Sequence, residues 1–247
     1  MTPPSTIQAW TNGPTLDARR CVHLAASNTL VVADLHLGYA WSRRKRGVLL
    51  PVETPDDTLN RLATLHDAYQ PGRWVILGDV VHEALDLPPL ERVLRELCDR
   101  LARNAELIFC LGNHDRNLEA RIREWKLPVA CVTSWNTDGL LLAHGDTLPA
   151  ADPKQAFQLA SEPTLQRWLI GHEHPAVSLG DGVATRVKCP AFLVADDGIV
   201  LPAFSSWAAG CEWGRQPFLG PMARGTAFRT AWVCAGKQLL PVSLIRF

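Results

Sequence analysis

Seven side chains in this sequence can ligate a metal ion, and each stands where an apolar run ends. Asp34-Leu35-His36 follows residues 30–33, Gly78-Asp79 follows 74–77, and Gly112-Asn113-His114-Asp115 follows 107–111. His144-Gly145-Asp146 follows 140–143, and Gly171-His172-Glu173-His174 follows 168–170. The donors Asp34, His36, Asp79, Asn113, His144, His172 and His174 offer oxygen and nitrogen but no sulfur. That mix favours Mn²⁺, Fe²⁺, Zn²⁺ or similar ions over a structural zinc–thiolate site. Seven ligands exceed what one ion needs, so two ions sharing the Asp79 carboxylate is the economical arrangement. Gly78 allows the backbone to approach closely before Asp79. If the segment stays extended, Asp34 and His36 project to one side, because side chains alternate along a strand. His172 and His174 repeat that spacing. Singly, Asp-x-His is common, Gly-Asp is most often a turn, and a lone histidine after a strand is usually just hydrogen-bonded. Five such ends in order read as a metal site gathered at one edge of a sheet.

The elements that must position these residues are legible as periodicities. Residues 20–25 and 29–33 read as two strands joined by a turn at Ser27-Asn28. Residues 54–69 have helical spacing, with Leu59, Leu62, Leu65 and His66 on one side, Thr54 as cap and Pro55 in the first turn. Residues 90–101 repeat the pattern with Leu90, Val93, Leu94, Leu97 and Leu101, and 118–125 form a shorter helix. Helices alternating with apolar strands imply βαβ units and a mostly parallel sheet. The motifs fall about 30 to 40 residues apart, and a βαβ unit takes about 30 or more. In such sheets ligands gather beyond the carboxyl ends of the strands. The part from 184 to 247 reads as β-rich, with strands at 191–195, 199–201, 226–233 and 239–245.

The chain has 247 residues, 47% of them apolar, with no linker-like segment, so one domain over 1–247 is expected. Its formal net charge is zero, which argues against non-specific polyanion binding but leaves room for a local basic patch. No signal peptide and no run long enough for a transmembrane helix is seen. Seven cysteines without CxxC spacing suggest reduced core thiols in a cytoplasmic protein. None falls in a metal motif.

The metal motifs resemble the calcineurin-like metallophosphoesterases, whose pattern runs Asp-x-His, Gly-Asp, Gly-Asn-His-Asp/Glu, His, Gly-His-x-His. The match spans residues 34–174. It implies a four-layer αββα sandwich and a two-metal centre, Mn²⁺ foremost with Fe²⁺ or Zn²⁺ as alternatives. By that resemblance Asp34, His36, Asp79 and His174 hold one ion, and Asp79, Asn113, His144 and His172 hold the other. His114 lies beside them as proton donor or phosphate contact. The tail at 201–207, followed by 208–210, resembles the signature of the ligase-associated DNA damage response endonucleases. So do residues 34–38 and 171–175. That branch implies a nuclease acting on DNA, with repair proteins including a DNA ligase as partners. His144-Gly145-Asp146 also resembles the pyrophosphatases that act on UDP-diacylglucosamine. Those usually carry Arg where this chain has His114, so a small-nucleotide or nucleotide-lipid pyrophosphate ranks second. A non-catalytic scaffold ranks last, because scaffolds lose site residues and all are present here.

Two ions about 3.5–4 Å apart can clamp a phosphate and activate a hydroxide for attack on phosphorus, with His114 as general acid. Around this core, His82 either orients a ligand or simply starts a helix. Asp115 either orients His114 or caps a helix, and Asp146 either bonds a ligand histidine or holds a turn. Arg43, Arg44, Lys45 and Arg46 are either a solvated loop or a phosphate-gripping strip. Trp41, Trp207 and Trp213 could stack on bases or pack in the core. His23 and His66 read as structural.

Overall fold

The computed structural model describes residues 4–11, 13–49, 55–83, 88–148, 167–180, 184–208 and 210–244. Short turns join the first strands, so they pair antiparallel: β1 (Thr6–Gln8), β2 (Thr15–Asp17), β3 (Cys21–Leu24) and β4 (Thr29–Ala33). Two helices, α1 (Tyr39–Lys45) and α2 (Pro55–Tyr69), then separate β4 from β5 (Arg73–Leu77). α3 (Pro88–Leu101) leads to β6 (Glu106–Cys110), and α4 (Leu118–Glu124) leads to β7 (Ala130–Val132). A crossover helix lets the next strand run the same way, and β4, β5, β6 and β7 are indeed parallel neighbours.

The second sheet comprises β8 (Ser134–Thr137), β9 (Leu140–Ala143), β10 (Arg167–Ile170), β11 (Pro175–Gly180), β12 (Arg186–Val194), β13 (Gly198–Val200) and β14 (Cys211–Glu212). β15 (Thr230–Ala235) pairs with β12, and β16 (Gln238–Ser243) with β15. β10 lies parallel between β9 and β13, while β8, β12, β15 and β16 pair antiparallel. The expected mostly parallel sheet is therefore two mixed sheets. Parallel pairing is confined to strands joined by long crossovers, and the strands joined by turns form antiparallel edges.

Strand alternation sorts the apolar residues into layers. Leu30, Val32, Trp74, Ile76, Leu107 and Phe109 face α2, α3 and α4. Their neighbours Val31, Ala33, Val75, Leu77, Ile108 and Cys110 face Leu142, Leu169, Phe192 and Ile199 of the second sheet. That sheet's outer side, with Ile170, Leu193 and Val233, is covered by Ala223 and Phe228, with Trp213, Phe218 and Met222 packed against them. No helix covers it among the described residues. Thr54, expected as a helix cap, Ala209 in the tail signature and Ile245 at the end of the last strand lie outside the described residues.

Register is what gathers the motifs. Ala33, Leu77 and Cys110 are mutual partners at the ends of β4, β5 and β6, and Ala143 and Ile170 at the ends of β9 and β10. The five loops that follow start at matching levels of the two sheets. The tail segment after β13 ties them together: Leu201 N donates to Ile170 O at 2.7 Å, Phe204 N to Ala33 O at 2.8 Å and Ser205 N to Asp34 O at 3.1 Å.

Candidate metal centre

Asp34 and His36 come together, but not by strand pleating. β4 ends at Ala33, and Asp34 and His36 have φ of 55° and 46°. His172 and His174 likewise have φ of 67° and 44°, and Asp79 has 47°. Left-handed geometry costs a non-glycine residue of order 1 kcal/mol or more. It persists because hydrogen bonds dictate it: Asp34 N to Gly78 O at 3.2 Å, His36 N to Asp79 O at 2.8 Å, and His172 N to Asp34 Oδ2 at 3.1 Å. The expected extended Asp-x-His is thus a loop in which alternate residues are left-handed. Gly78 is itself at φ 68°, and a Cβ there would run into the His144 ring. The close approach read from the sequence is real, and His144 is what approaches.

Two donor groups share Asp79. Ligating atoms of Asp34, His36, Asp79 and His174 lie within 4.8 Å of one another, as do those of Asp79, His144 and His172. Asn113 joins the second group, its Oδ1 3.2 Å from His144 Nε2. Asp79 Oδ2 is 3.8 Å from His36 Nε2, and its Oδ1 is 3.4 Å from His144 Nε2. Asp34 is fully buried and Asp79 is only 3% exposed. In each group two imidazole nitrogens face each other, His36 Nε2 and His174 Nε2 at 3.3 Å, and His172 Nδ1 and His144 Nε2 at 3.1 Å. Converging lone pairs beside buried carboxylates are what a divalent cation requires, so the donor sets fit two ions. His144 Nδ1 donates to Leu77 O at 3.0 Å, which leaves Nε2 as the nitrogen available to a cation.

Burial and charge divide the histidines. Burial pushes His36 down to about 3, and burial with the neighbouring His144 charge pushes His172 down to about 4. Both are neutral, as ligands must be. Burial also disfavours charge on His144 and His174, but Asp34 outweighs it, helped by Asp79, and raises both above their ordinary value. Burial alone would raise Asp34, yet His174, His144 and His36 hold its carboxyl below the usual range.

His114 stands at the rim, its side chain 36% exposed and Nε2 4.0 Å from Asp79 Oδ2. It is oriented by the His82 carbonyl, which accepts from Nδ1 at 2.6 Å, and its backbone N–H donates to Asp79 Oδ1 at 3.0 Å. His82 serves through that carbonyl, while its ring lies 5.3 Å from the His114 ring. The Asp115 side chain neither bonds the His114 ring among the described residues nor caps α4, whose cap position is Asn117. It accepts from Gly112 N at 2.9 Å and Val81 N at 3.1 Å, lashing two metal loops together, and burial pushes its carboxyl up to about 6. Asp146 lies close enough to His144 and His172 to favour their protonation. Arg43, Arg44 and Lys45 belong to α1, not to a loop, and Arg46 pairs with Glu83 at 2.5 Å.

The donors open into a cavity of about 560 Å³ whose far wall carries Lys188, Cys211, Glu212, Arg215 and Leu219. Sequence reasoning placed no cysteine at the site. The fold brings Cys211 there because β14 pairs with β11 directly after His174. Glu173 was also missed. It is buried between His172 and His174 and accepts from Leu219 N at 3.0 Å and Gly220 N at 2.6 Å, anchoring that wall. A glutamate inside His-x-His was the one available signal; Lys188 and Arg215 gave none.

The calcineurin-like phosphoesterase family model matches residues 27–188, which include all seven donors. The chain belongs to the calcineurin-like phosphoesterase family. It is accordingly a metal-dependent phosphoesterase with two sheets in a calcineurin-like sandwich. Among solved structures, the Pseudomonas putida nuclease MPE is 23% identical, covers 97% of this chain and 100% of its own, and superposes with a TM-score of 0.69. YfcE, a phosphoesterase from E. coli, is 15% identical over 88% of this chain and 99% of its own, with a TM-score of 0.39. The Aquifex aeolicus protein of unknown function AQ665 is 18% identical over 59% of this chain and 78% of its own, with a TM-score of 0.36. No curated protein matches.

Proposed function

We propose that the protein is a dinuclear phosphodiesterase that cleaves nucleic acid, with DNA under repair as its substrate. The observation that carries this reading is Asp79 facing both donor groups at the floor of a cavity with Lys188 and Arg215 on its wall. The likeness in fold to a nuclease, over nearly all of both chains, supports the substrate class. Asp34, His36, Asp79 and His174 would hold one ion, and Asp79, Asn113, His144 and His172 the other. Such ions polarise a phosphoryl oxygen and lower the pKa of water; oxygen and imidazole donors without thiolate suit Mn²⁺, with Fe²⁺ or Zn²⁺ as alternatives.

The chain's own groups do the rest. With Nδ1–H committed to the His82 carbonyl, His114 turns Nε2 to the cavity. In its cationic form that nitrogen can give a proton to the leaving oxygen. Glu173 keeps the 219–220 segment against the cavity, and Asp115 keeps the Asn113 and Asp79 loops together. A cytoplasmic setting agrees with seven free cysteines, and a DNA ligase or other repair protein is the partner this reading entails. No described helix is long and apolar enough to cross a membrane.

The test is purified protein with Mn²⁺ against plasmid DNA, single-stranded DNA, cyclic dinucleotides and UDP-sugar lipids. Cleavage of DNA is expected. Hydrolysis of a nucleotide-linked pyrophosphate with every nucleic acid ignored would install the second reading, and inertness toward all would overturn both substrate classes.

A further inference from the structure

A row of rings leads out of the metal centre along α1. His114 and His82 are 5.3 Å apart between centroids and 20° from parallel. Tyr39 lies 4.6 Å beyond His82, and Trp207 stacks on Tyr39 at 5.6 Å and 19°. All four are partly exposed. The row is held in place at both ends. Leu37 N donates to Val80 O and His82 N to Leu37 O, stitching the start of α1 to the Asp79 loop. Trp207 N donates to Ser205 Oγ, and Ser205 N to the Asp34 carbonyl.

Arg43 follows Tyr39 by one helical turn and shares its face, while Ala40 and Ser42 turn inward. The Arg43 Nε is buried and has no hydrogen-bond partner among the described residues. That atom is enclosed, but Arg43 as a residue is partly exposed, and its Nη atoms carry further N–H donors for which a phosphate oxygen is a fitting partner. Arg46, beyond it, is already paired with Glu83.

We infer that Tyr39, Trp207 and Arg43 form a nucleotide subsite, in which a base flanking the scissile phosphate stacks on the Trp207–Tyr39 ledge and the next phosphate is taken by Arg43. The inference rests on the nucleic-acid reading above. Stacking on a preformed aromatic pair is strong and tolerant of sequence, since every base has a π-face. A metal centre alone gives a phosphodiester no direction, whereas a ledge on one side of it does.

The experiment compares an oligonucleotide with a small aryl phosphodiester, using metal-loaded wild type, Trp207→Ala, Trp207→Phe and Arg43→Gln. Trp207→Ala should lower the oligonucleotide-to-aryl ratio of kcat/KM about 10-fold, mainly through KM. Trp207→Phe should restore most of it. In the wild type, abasic residues placed one at a time along the strand should produce the same loss at one flanking position. At that position Trp207→Ala should lose nothing further. Arg43→Gln should raise the oligonucleotide KM and flatten its salt dependence. Equal losses on both substrates would make Trp207 a structural prop of the Asp34 loop, and additive losses in the abasic series would overturn the ledge. Wild type that cleaves the aryl ester but no oligonucleotide removes the nuclease reading and the subsite with it. Wild type that cleaves oligonucleotides while all variants keep its KM removes the subsite alone.

Discussion

Replacing Asp79 by Ala removes the carboxylate whose Oδ2 faces His36 and whose Oδ1 faces His144. It also takes the acceptor from the His114 backbone N–H. We expect both ions and all turnover to be lost, and elemental analysis of the purified variant checks this; two tightly held ions would end the shared-ligand assignment. His114 separates binding from chemistry. His114→Ala should keep its metals and lose about 10²–10⁴ in turnover, the loss shrinking for an aryl leaving group that needs little protonation. An equal loss for good and poor leaving groups would leave His114 as a phosphate contact. Metal affinity should also depend on pH in one direction. His144 and His174 have raised proton affinities without metal, so a cation must displace their protons. Affinity should fall as pH drops through the raised titration range of these two histidines, which a calorimetric titration at several pH values would read.

The same accounting applies where one element grips another. Asp17, at the end of β2, accepts from Arg19 N, Nε and Nη2 and from Tyr69 OH of α2 at 2.7 Å. Burial pushes its carboxyl up, but the Arg19 and Tyr69 hydrogen bonds outweigh this and hold it below its ordinary 3.8. A depressed folded-state value means that the stabilisation is complete above the ordinary value. It is lost as pH falls through 3.8 toward the lower folded-state value. Asp17→Asn should cost about 2–4 kcal/mol near neutrality, and the loss should shrink on acidification. Denaturant midpoints measured at pH 7 and pH 3 test both statements; a variant as stable as wild type at pH 7 would sink them. Among the helices, α2 and α3 were legible because Leu59, Leu62, Leu65 and Leu90, Val93, Leu94, Leu97 recur at helical spacing and are buried together. α1 was not legible. Its inward residues are Ala40 and Ser42, too small and polar to mark a stripe, so its charges read as loop. β1, β2, β7, β8 and β11 were missed because strands of three to six residues are too short to carry a clear period-two pattern, and β1, β7 and β8 have no buried residue to mark one.

At the scale of the whole molecule, net charge is zero, so any grip on a polynucleotide must be local. If residues 43–46 contact phosphates, neutralising all four should flatten the log–log salt dependence of DNA binding by up to about three units. An unchanged slope in filter binding across a salt series would make them a solvated face. The sequence by itself marked the candidate donors and their order and determined the family, because metal chemistry restricts residue types and strand ends repeat at βαβ intervals. It also implied that these ends share one edge. It did not contain the reason the donors meet. Asp34, His36, Asp79, His172 and His174 all adopt left-handed backbone, which a local pattern of extended strands denies and which long-range hydrogen bonds from Ser205, Gly78 and Asp34 impose. Nor did it contain the opposite wall, since Glu173, Lys188, Cys211 and Arg215 become neighbours only when β14 pairs with β11. Ligand identity is a property of side-chain chemistry and is written locally. Cavity shape and backbone strain depend on contacts between distant segments, so the tertiary structure alone decides them.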